Sequence, residues 1–599
     1  MPDRMESESS ASQHSALAAL QNELGRFVAE EHALQRENMR RLWASPLEER
    51  VEEGRCIAHA QITAQPQPKR WRLECEGNDS RFREGDLVRL SRGDPQLPFM
   101  EALITAVSDT HVEVQEARAL GDRPGTVGEN GICLDESYID LEDRYRGAIE
   151  DLGRTSIGRD LILPLLQGER IPQIDAQDFN DTFDRAEEDA LNDKQKEAVA
   201  NAVASDVCWL IQGPPGTGKT HVLAWVIVDL LSRGERILVT SFTHRAINNL
   251  LAAVAERMEG NGHIAKIAAF TDPSLPAAIE QRETFGELSF TKTLTGAGYI
   301  IGATPFALRS RRLRGRDFDT VVIDEASQVT VPLAVMAMLA GRRYIFAGDH
   351  RQLPPVTISR SPQEAQQLSI FGRLVGRGYD TMLTVTHRLN DALCRWPSDT
   401  FYASRLRSHP RAAGRTLQLS ACAAEWKDLL TPSPCVVWLA VPHKGCRSVA
   451  PEEATLIADA LQALHAGGLA WKDIGVVIPF RRQARYLRRC LAARAPDRTA
   501  PAALVADTVE RMQGQEREVV LVSFTVSDED FAGRLYDFIF LQQRLNVAAT
   551  RARTKLLLVA SPVLLEFAES RPDDDAMACF ASLLRTAHRV DIPLPGSES

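Results

Sequence analysis

The residues with the clearest chemical potential are Gly213–Thr220, GPPGTGKT, placed directly after the apolar run VCWLIQ. Glycines at 213, 216 and 218 let successive backbone N–H groups close around phosphate oxygens. Pro214, Pro215 and Thr217 complete the loop, and the helix that it opens favours an anion at its N-terminus. Lys219 is placed to reach the β- and γ-phosphates and Thr220 to ligate Mg²⁺. Downstream, VVIDEASQ ends an apolar run in Asp324 and Glu325. Asp324 is the natural partner of Mg²⁺, directly or through water, and Glu325 is the candidate for orienting and deprotonating an attacking water. These parts make an NTPase. They do not say what it drives, because the same loop serves kinases, transporters and ring ATPases.

The chain has 599 residues, enough for several domains, since single cores stop growing near roughly 250–300 residues. Hydrophobic content of 44% and charged content of 25% are ordinary for a soluble globular protein. The polar start, MPDRMESESSASQHS, does not resemble a signal peptide, and no run approaches the ~18 apolar residues of a membrane span. VPLAVMAMLAG reads as a core helix. The ten cysteines form no C-x-x-C pair, so neither zinc nor an iron–sulfur cluster is expected, and a reducing, cytoplasmic location fits. A net charge of −11 argues against non-specific coating of nucleic acid, yet allows a local basic groove.

The elements that must position these residues emerge from periodicity. Residues 1–14 read as a loose tail and 15–54 as a stalk helix, with Leu17, Leu20, Leu24 and Phe27 on one face. Residues 55–137 carry short strand patterns broken by turn residues and predict a small β-barrel. Residues 138–170 read as a second stalk helix, capped by Gly153. From 171 to 360, and again from 361 to 565, near-continuous apolar strands alternate with helices, which predicts two doubly wound α/β domains with parallel sheets. Residues 566–599 read as a helix with a loose tail.

Further motifs occur in a fixed order: LNDKQKEAVANAV, LVTSFTHRAINNLL, IIGATPFAL, FAGDHRQLPPV, VTHRLNDALCRWPSDTFY, IGVVIPFRRQARYL, TVERMQGQE and RLNVAATRAR. With the phosphate loop and the Asp-Glu pair, this set resembles the superfamily 1B helicases over roughly residues 12–565. That branch includes the nonsense-mediated-decay RNA helicase, the immunoglobulin mu-binding helicase and the Okazaki-fragment nuclease-helicase. TSFTHRAINN leans toward the last of these. The resemblance implies two tandem RecA-like domains, with the barrel carried on its stalk.

It also implies roles. Gln195 matches the glutamine that reads the adenine edge of ATP. Gln352 matches the residue that senses the γ-phosphate, and Arg388 an arginine that contacts it from the second domain. Arg551 matches the arginine finger, and Glu516 a glutamate near the ribose and phosphates. Arg553 is expected to be structural or strand-facing. His387 stands where the family commonly has the tyrosine that stacks on adenine, which weakens base stacking. Ser241, Thr243, Thr304 and Thr508 match hydroxyls that touch the sugar-phosphate backbone; each is alternatively a helix cap. The arginines at 309–317, and Arg481, Arg485, Arg488 and Arg489, read as solvated faces or as extra phosphate contacts.

No nuclease pattern and no cysteine-histidine module accompanies these motifs, so a nuclease or other subunit would be a separate chain. The expectation is ATP- and Mg²⁺-dependent 5′→3′ movement on single-stranded nucleic acid, with DNA favoured. The alternatives are an RNA helicase of RNA turnover and a nucleic-acid-stimulated ATPase switch that remodels a complex without unwinding.

Overall fold

The computed structural model describes the chain apart from residues 1, 79, 109, 121–124, 188, 259–262, 269–270, 284–297, 311–312, 495–502 and 594–599, with side chains described outside 2–13, 425 and 428. The first helix spans Pro2–Ala44. It thus begins well before the expected start at residue 15: Pro2 suits a first helical turn, and no further proline occurs before Pro46. Leu20, Leu24, Phe27 and Val28 are buried in the same core as the first large sheet, whereas Leu34 is exposed. The helix therefore packs on its own chain.

Six antiparallel strands then close a barrel in the order β1-β2-β5-β4-β3-β6. They are β1 Cys56–Gln67, β2 Arg70–Glu74, β3 Leu87–Ser91, β4 Met100–Val107, β5 His111–Ala119 and β6 Ile132–Glu136. Alternate residues such as Val88 and Leu90, or Val112 and Val114, fill its interior. The return path differs from the single helix expected over 138–170. A helix Glu142–Arg154 stops at Thr155, whose backbone is extended, and a π-helical turn Ile157–Ile162 leads into the helix Leu163–Gln167. Gly153 is not a cap but lies inside the first of these helices. A Cβ there would come within 3.1 Å of Leu17, so glycine permits the close approach of the two helices.

The first large sheet is wholly parallel, in the order β10-β9-β11-β8-β12-β13-β7-β14. Its strands are β7 Cys208–Gln212, β8 Arg236–Thr240, β9 Ile264–Ala268, β10 Ile279–Glu283, β11 Tyr299–Ala303, β12 Thr320–Ile323, β13 Arg343–Gly348 and β14 Asp380–Met382. Because β14 pairs with β7, this lobe extends to about residue 383, beyond the boundary expected at 360. A short pair, β15 Val385–Thr386 with β16 Arg407–Ser408, bridges to the second lobe. The second sheet is also parallel, ordered β19-β18-β20-β21-β17-β22. It is built from β17 Val436–Ala440, β18 Ile474–Val477, β19 Val505–Asp507, β20 Arg517–Ser523, β21 Ala552–Ala560 and β22 His588–Asp591.

The C-terminal segment corrects a second boundary. The helix Asp575–Thr586 buries Met577, Phe580 and Leu584 in the second core, and β22 pairs with β17. Residues 566–593 thus complete the second lobe; the tail expected at 594–599 lies outside the described residues. VPLAVMAMLAG forms the fully buried helix Val331–Met338. Among the described residues no helix is long and apolar enough to cross a membrane.

Candidate nucleotide site between the lobes

The site residues gather at the carboxyl ends of the parallel strands. The phosphate loop comes after β7, Ser241 after β8, Thr304 after β11, Asp324 after β12 and Thr508 after β19. Open α/β sheets bind ligands at this edge. Gly216 and Gly218 adopt φ of +73° and +82°, which only glycine takes readily. The helix Lys219–Ser232 starts at the loop's last residues, so its free N–H groups face the loop's interior.

Lys219 Nζ lies 2.8 Å from Glu325 Oε1 and 3.4 Å from Asp324 Oδ1. Burial disfavours the ammonium, but the two carboxylates outweigh it and raise its pKa. The carboxylates themselves diverge. Burial raises Asp324, whereas for Glu325 the nearby Lys219 and Arg551 cations overcome burial and hold it below the usual range. Glu325 sits in the left-handed region at φ +53°, a conformation that costs a non-glycine residue roughly 1 kcal/mol or more. Its N–H donates to Asp324 Oδ1 at 2.8 Å. The donor set suits a Mg-triphosphate: Thr220 and Asp324 offer hard oxygens beside the loop, and an internal ammonium already rests against the acidic pair.

The second lobe closes over the loop. The backbone N–H of His387 donates to Gly216 O at 2.8 Å, and Thr386 Oγ1 donates to Pro215 O at 2.8 Å. A Cβ on Gly216 would come within 2.4 Å of the Arg388 Cβ, so this glycine is needed for the lobes to meet. Arg388 Nε donates to Glu516 Oε2 at 2.7 Å and its Nη1 to Thr550 O at 3.0 Å. The other Glu516 oxygen holds Arg553. In this arrangement Glu516 clamps two arginines, Arg388 and Arg553. The His387 ring stacks on His409, with centroids 4.4 Å apart. Burial, His409 and Arg415 together lower the His387 pKa.

Arg551 comes directly after the helix Gln542–Ala549 and its cap, and is 1% exposed. Its Nε donates to Val547 O at 2.9 Å and its Nη1 to Gln515 O at 3.2 Å. Burial and the Arg388 cation push its pKa down to about 9, against the pull of Glu325 across the cleft. It therefore keeps its charge at neutral pH. Gln352 Nε2 donates to Asp349 Oδ2 at 2.8 Å. Gln195 is held by the backbone on two sides. Its Oε1 accepts from Asn192 N at 3.0 Å in a capping box, and its Nε2 donates to Thr217 O at 3.0 Å. Its amide oxygen thus serves the helix cap, and its amide nitrogen holds the phosphate loop.

The candidate strand-contact hydroxyls diverge. Ser241 is fully buried, and its Oγ has no hydrogen-bond partner among the described residues. Thr243 caps the helix His244–Arg257 by accepting from Ala246 N at 3.2 Å. Thr304 and Thr508 precede helices without capping them. Of the arginine clusters, Arg309 pairs with Asp151 at 2.6 Å, while 311–312 lie outside the described residues. Arg488 and Arg489 are exposed on the helix Arg481–Arg494, whose Ala484, Leu487 and Leu491 are buried.

Two family models, each described as an AAA domain, match residues 195–358 and 366–563. DNA-binding protein SMUBP-2 of Mesocricetus auratus is 26% identical over 87% of this chain and 59% of its own length. The DNA replication ATP-dependent helicase/nuclease DNA2 of Mus musculus is 30% identical over 62% of this chain and 37% of its own. These matches support a DNA2-like superfamily 1 helicase. The DNA polymerase alpha-associated DNA helicase A of Schizosaccharomyces pombe is a further relative, 28% identical over 63% of this chain and 64% of its own. The chain thus spans less than two thirds of the length of each of these relatives.

Proposed function

We propose that this chain is an ATP- and Mg²⁺-dependent helicase or translocase that moves 5′→3′ on single-stranded nucleic acid, with DNA preferred over RNA. The observation that carries the reading is the contact of the second lobe with the phosphate loop, where Thr386 Oγ1 donates to Pro215 O and His387 N–H to Gly216 O, on the lobe that also carries the buried Arg551. A hydrolytic centre divided in this way is complete only when the lobes meet. Each cycle of closing and opening can then pull a strand bound across both lobes.

In this reading Lys219 leaves its carboxylates for the β- and γ-phosphates, and Glu325 is freed to orient and deprotonate water. Arg551 neutralises the charge that builds on the γ-phosphate, for which a forked, permanent cation is suited. Thr220 and Asp324 hold Mg²⁺, which when bound neutralises phosphate charge. Gln352 and Arg388 sense the γ-phosphate from the two sides, Glu516 aligns Arg388, and His387 borders the base. Ser241, Thr243, Thr304 and Thr508 line the strand path. The barrel and its helices, residues 2–170, form an accessory unit on the first lobe, residues 171–383; residues 384–593 form the second lobe.

The test is ATP hydrolysis with and without single-stranded DNA or RNA, and then strand displacement on 5′- and 3′-tailed duplexes. Stimulation together with displacement of 5′-tailed DNA is expected. Stimulation without displacement would support the remodelling switch, preference for RNA would support the RNA helicase, and absence of hydrolysis would reject the reading.

A further inference from the structure

A buried polar junction links the lobes at the base of the phosphate loop. Asp349, at the end of β13, is 1% exposed and its carboxylate is fully occupied. Oδ1 accepts from Gln212 Nε2 at 3.1 Å and from Arg351 N at 3.1 Å. Oδ2 accepts from Gln352 Nε2 at 2.8 Å and from Tyr402 OH at 2.7 Å. The first three donors belong to the first lobe. Tyr402 belongs to the second, where it is packed at 2% exposure in the core beneath the helix Asp391–Phe401. Asn546 Nδ2 donates to Tyr402 OH at 2.9 Å and to Arg351 O at 2.8 Å. Asn546 is fully buried and lies in the helix Gln542–Ala549, which leads directly to Arg551. Leu353, next to Gln352, is itself buried in the second lobe's core.

We propose that Tyr402 and Asn546 form an interlobe latch on Asp349 and act as positioning residues for Gln352. A buried carboxylate that loses a donor bears a desolvation cost. If Gln352 turns toward a γ-phosphate, Asp349 Oδ2 keeps a donor only because the second lobe supplies the Tyr402 hydroxyl. Closure therefore lowers the cost of releasing Gln352, and an open cleft holds Gln352 on Asp349. Asn546 orients the hydroxyl and connects its arrival to the helix that carries Arg551. The strand from which the phosphate loop springs joins the same junction through Gln212.

This inference rests on the proposed ATPase reading, and its test separates the two. Steady-state ATP hydrolysis by the full chain, at saturating oligo-dT, is measured for wild type, Tyr402→Phe, Asn546→Ala and the double variant. Tyr402→Phe is expected to lower kcat by about tenfold, the effect of one hydrogen bond to a charged group, and Asn546→Ala, whose partners are neutral, by about three- to tenfold. The KM for ATP should stay within about twofold, and the double variant should be no slower than the worse single variant, because both act through one latch. Small-angle scattering should show that a non-hydrolysable ATP analogue compacts the wild type but not Tyr402→Phe. Unchanged kcat, a raised KM with intact kcat, or multiplicative losses in the double variant would overturn the latch. Tyr402→Phe keeps the ring in its core; should it melt early, Asn546→Ala and the scattering of that variant decide the question. A wild type without ATPase activity would instead reject the function on which the latch depends.

Discussion

The Lys219 ammonium and the Glu325 carboxylate are ion-paired at 2.8 Å, so the candidate phosphate-gripping cation and the candidate base occupy each other. A γ-phosphate that draws Lys219 away frees Glu325 at the moment substrate arrives. Removing either partner should therefore give different defects. Lys219→Ala should abolish turnover and weaken ATP binding. Glu325→Gln should retain bound ATP while hydrolysis stalls. Phosphate release and nucleotide binding, measured side by side, check this; normal turnover in either variant would refute the corresponding role.

Arg551 is more demanding to test, because its guanidinium also satisfies the carbonyls of Val547 and Gln515. Arg551→Ala should slow hydrolysis by roughly 10³-fold, the scale of an arginine finger, while leaving ATP affinity close to wild type. Arg551→Lys keeps charge but loses the fork and should recover little of the rate. Single-turnover hydrolysis with a parallel thermal melt separates chemistry from packing. A rate unchanged in the lysine variant would remove the need for a forked cation.

Gln195 is tied down at both ends of its amide, so a proposed role in reading the base would carry a distinct signature. Gln195→Glu preserves the acceptor for Asn192 N and so keeps the capping box, but it loses the donor to Thr217 O. Thermal stability should fall by about 1–3 kcal/mol, because a buried carboxylate then faces the Thr217 carbonyl, and the KM for ATP should rise. If the amide also reads adenine, the preference for ATP over GTP should collapse in the same variant. Competition between the two nucleotides measures it. An unchanged ratio would confine Gln195 to holding the loop.

The legible parts of the sequence were its strongest local signals. Buried parallel strands such as VCWLIQ and VVID are unbroken apolar runs, and the loop between β7 and its helix requires glycines at set positions, so both lobes and the phosphate grip can be read directly. Boundaries cannot. The strand β14 is only three residues long, and its place beside β7 is fixed by tertiary pairing rather than by periodicity. Gly153 reads as a helix end because helix–helix approach leaves no local signature. Tyr402 and Asn546 are invisible as a pair because they are 144 residues apart in sequence, and only the folded lobes bring Tyr402 to Asp349 and Asn546 to Arg351 O.

Lys266 offers a pH test independent of catalysis. It is 3% exposed on β9 and bonds Asn248 Oδ1, and burial lowers its pKa to about 8 despite the nearby Asp272. The folded state therefore binds this proton less readily than the unfolded chain does. Its charge disfavours folding below about pH 8, and that cost is relieved as pH rises toward the ordinary lysine value of 10.5. Relative to Lys266→Met, the wild type should gain stability as pH rises from about 8 to 10. Paired urea titrations check the sign; a gap that is flat or closes in the opposite direction would place Lys266 in a solvated setting.

The N-terminal helix reaches the loop beyond Gln352. Glu31 accepts the backbone N–H groups of Ile358 at 2.6 Å and Ser359 at 2.9 Å, Glu30 pairs with Arg360 at 2.5 Å, and Glu23 pairs with Arg373 at 3.0 Å. One carboxylate gripping two successive amides fixes the loop in a way that the exposed ion pairs alone would not, since such pairs contribute little. Hydrogen bonds to a charged acceptor are worth about 1.5–3 kcal/mol, so Glu31→Ala should speed exchange of the Ile358 and Ser359 amides by roughly 10- to 100-fold. Glu30→Ala should change it far less. Because the same helix packs against the helices returning from the barrel, Glu31→Ala should also weaken stimulation of hydrolysis by single strands without altering the strand-independent rate. Hydrogen exchange and stimulated turnover test the two halves separately. Faster exchange with full stimulation would leave the loop mechanically uncoupled from the accessory unit.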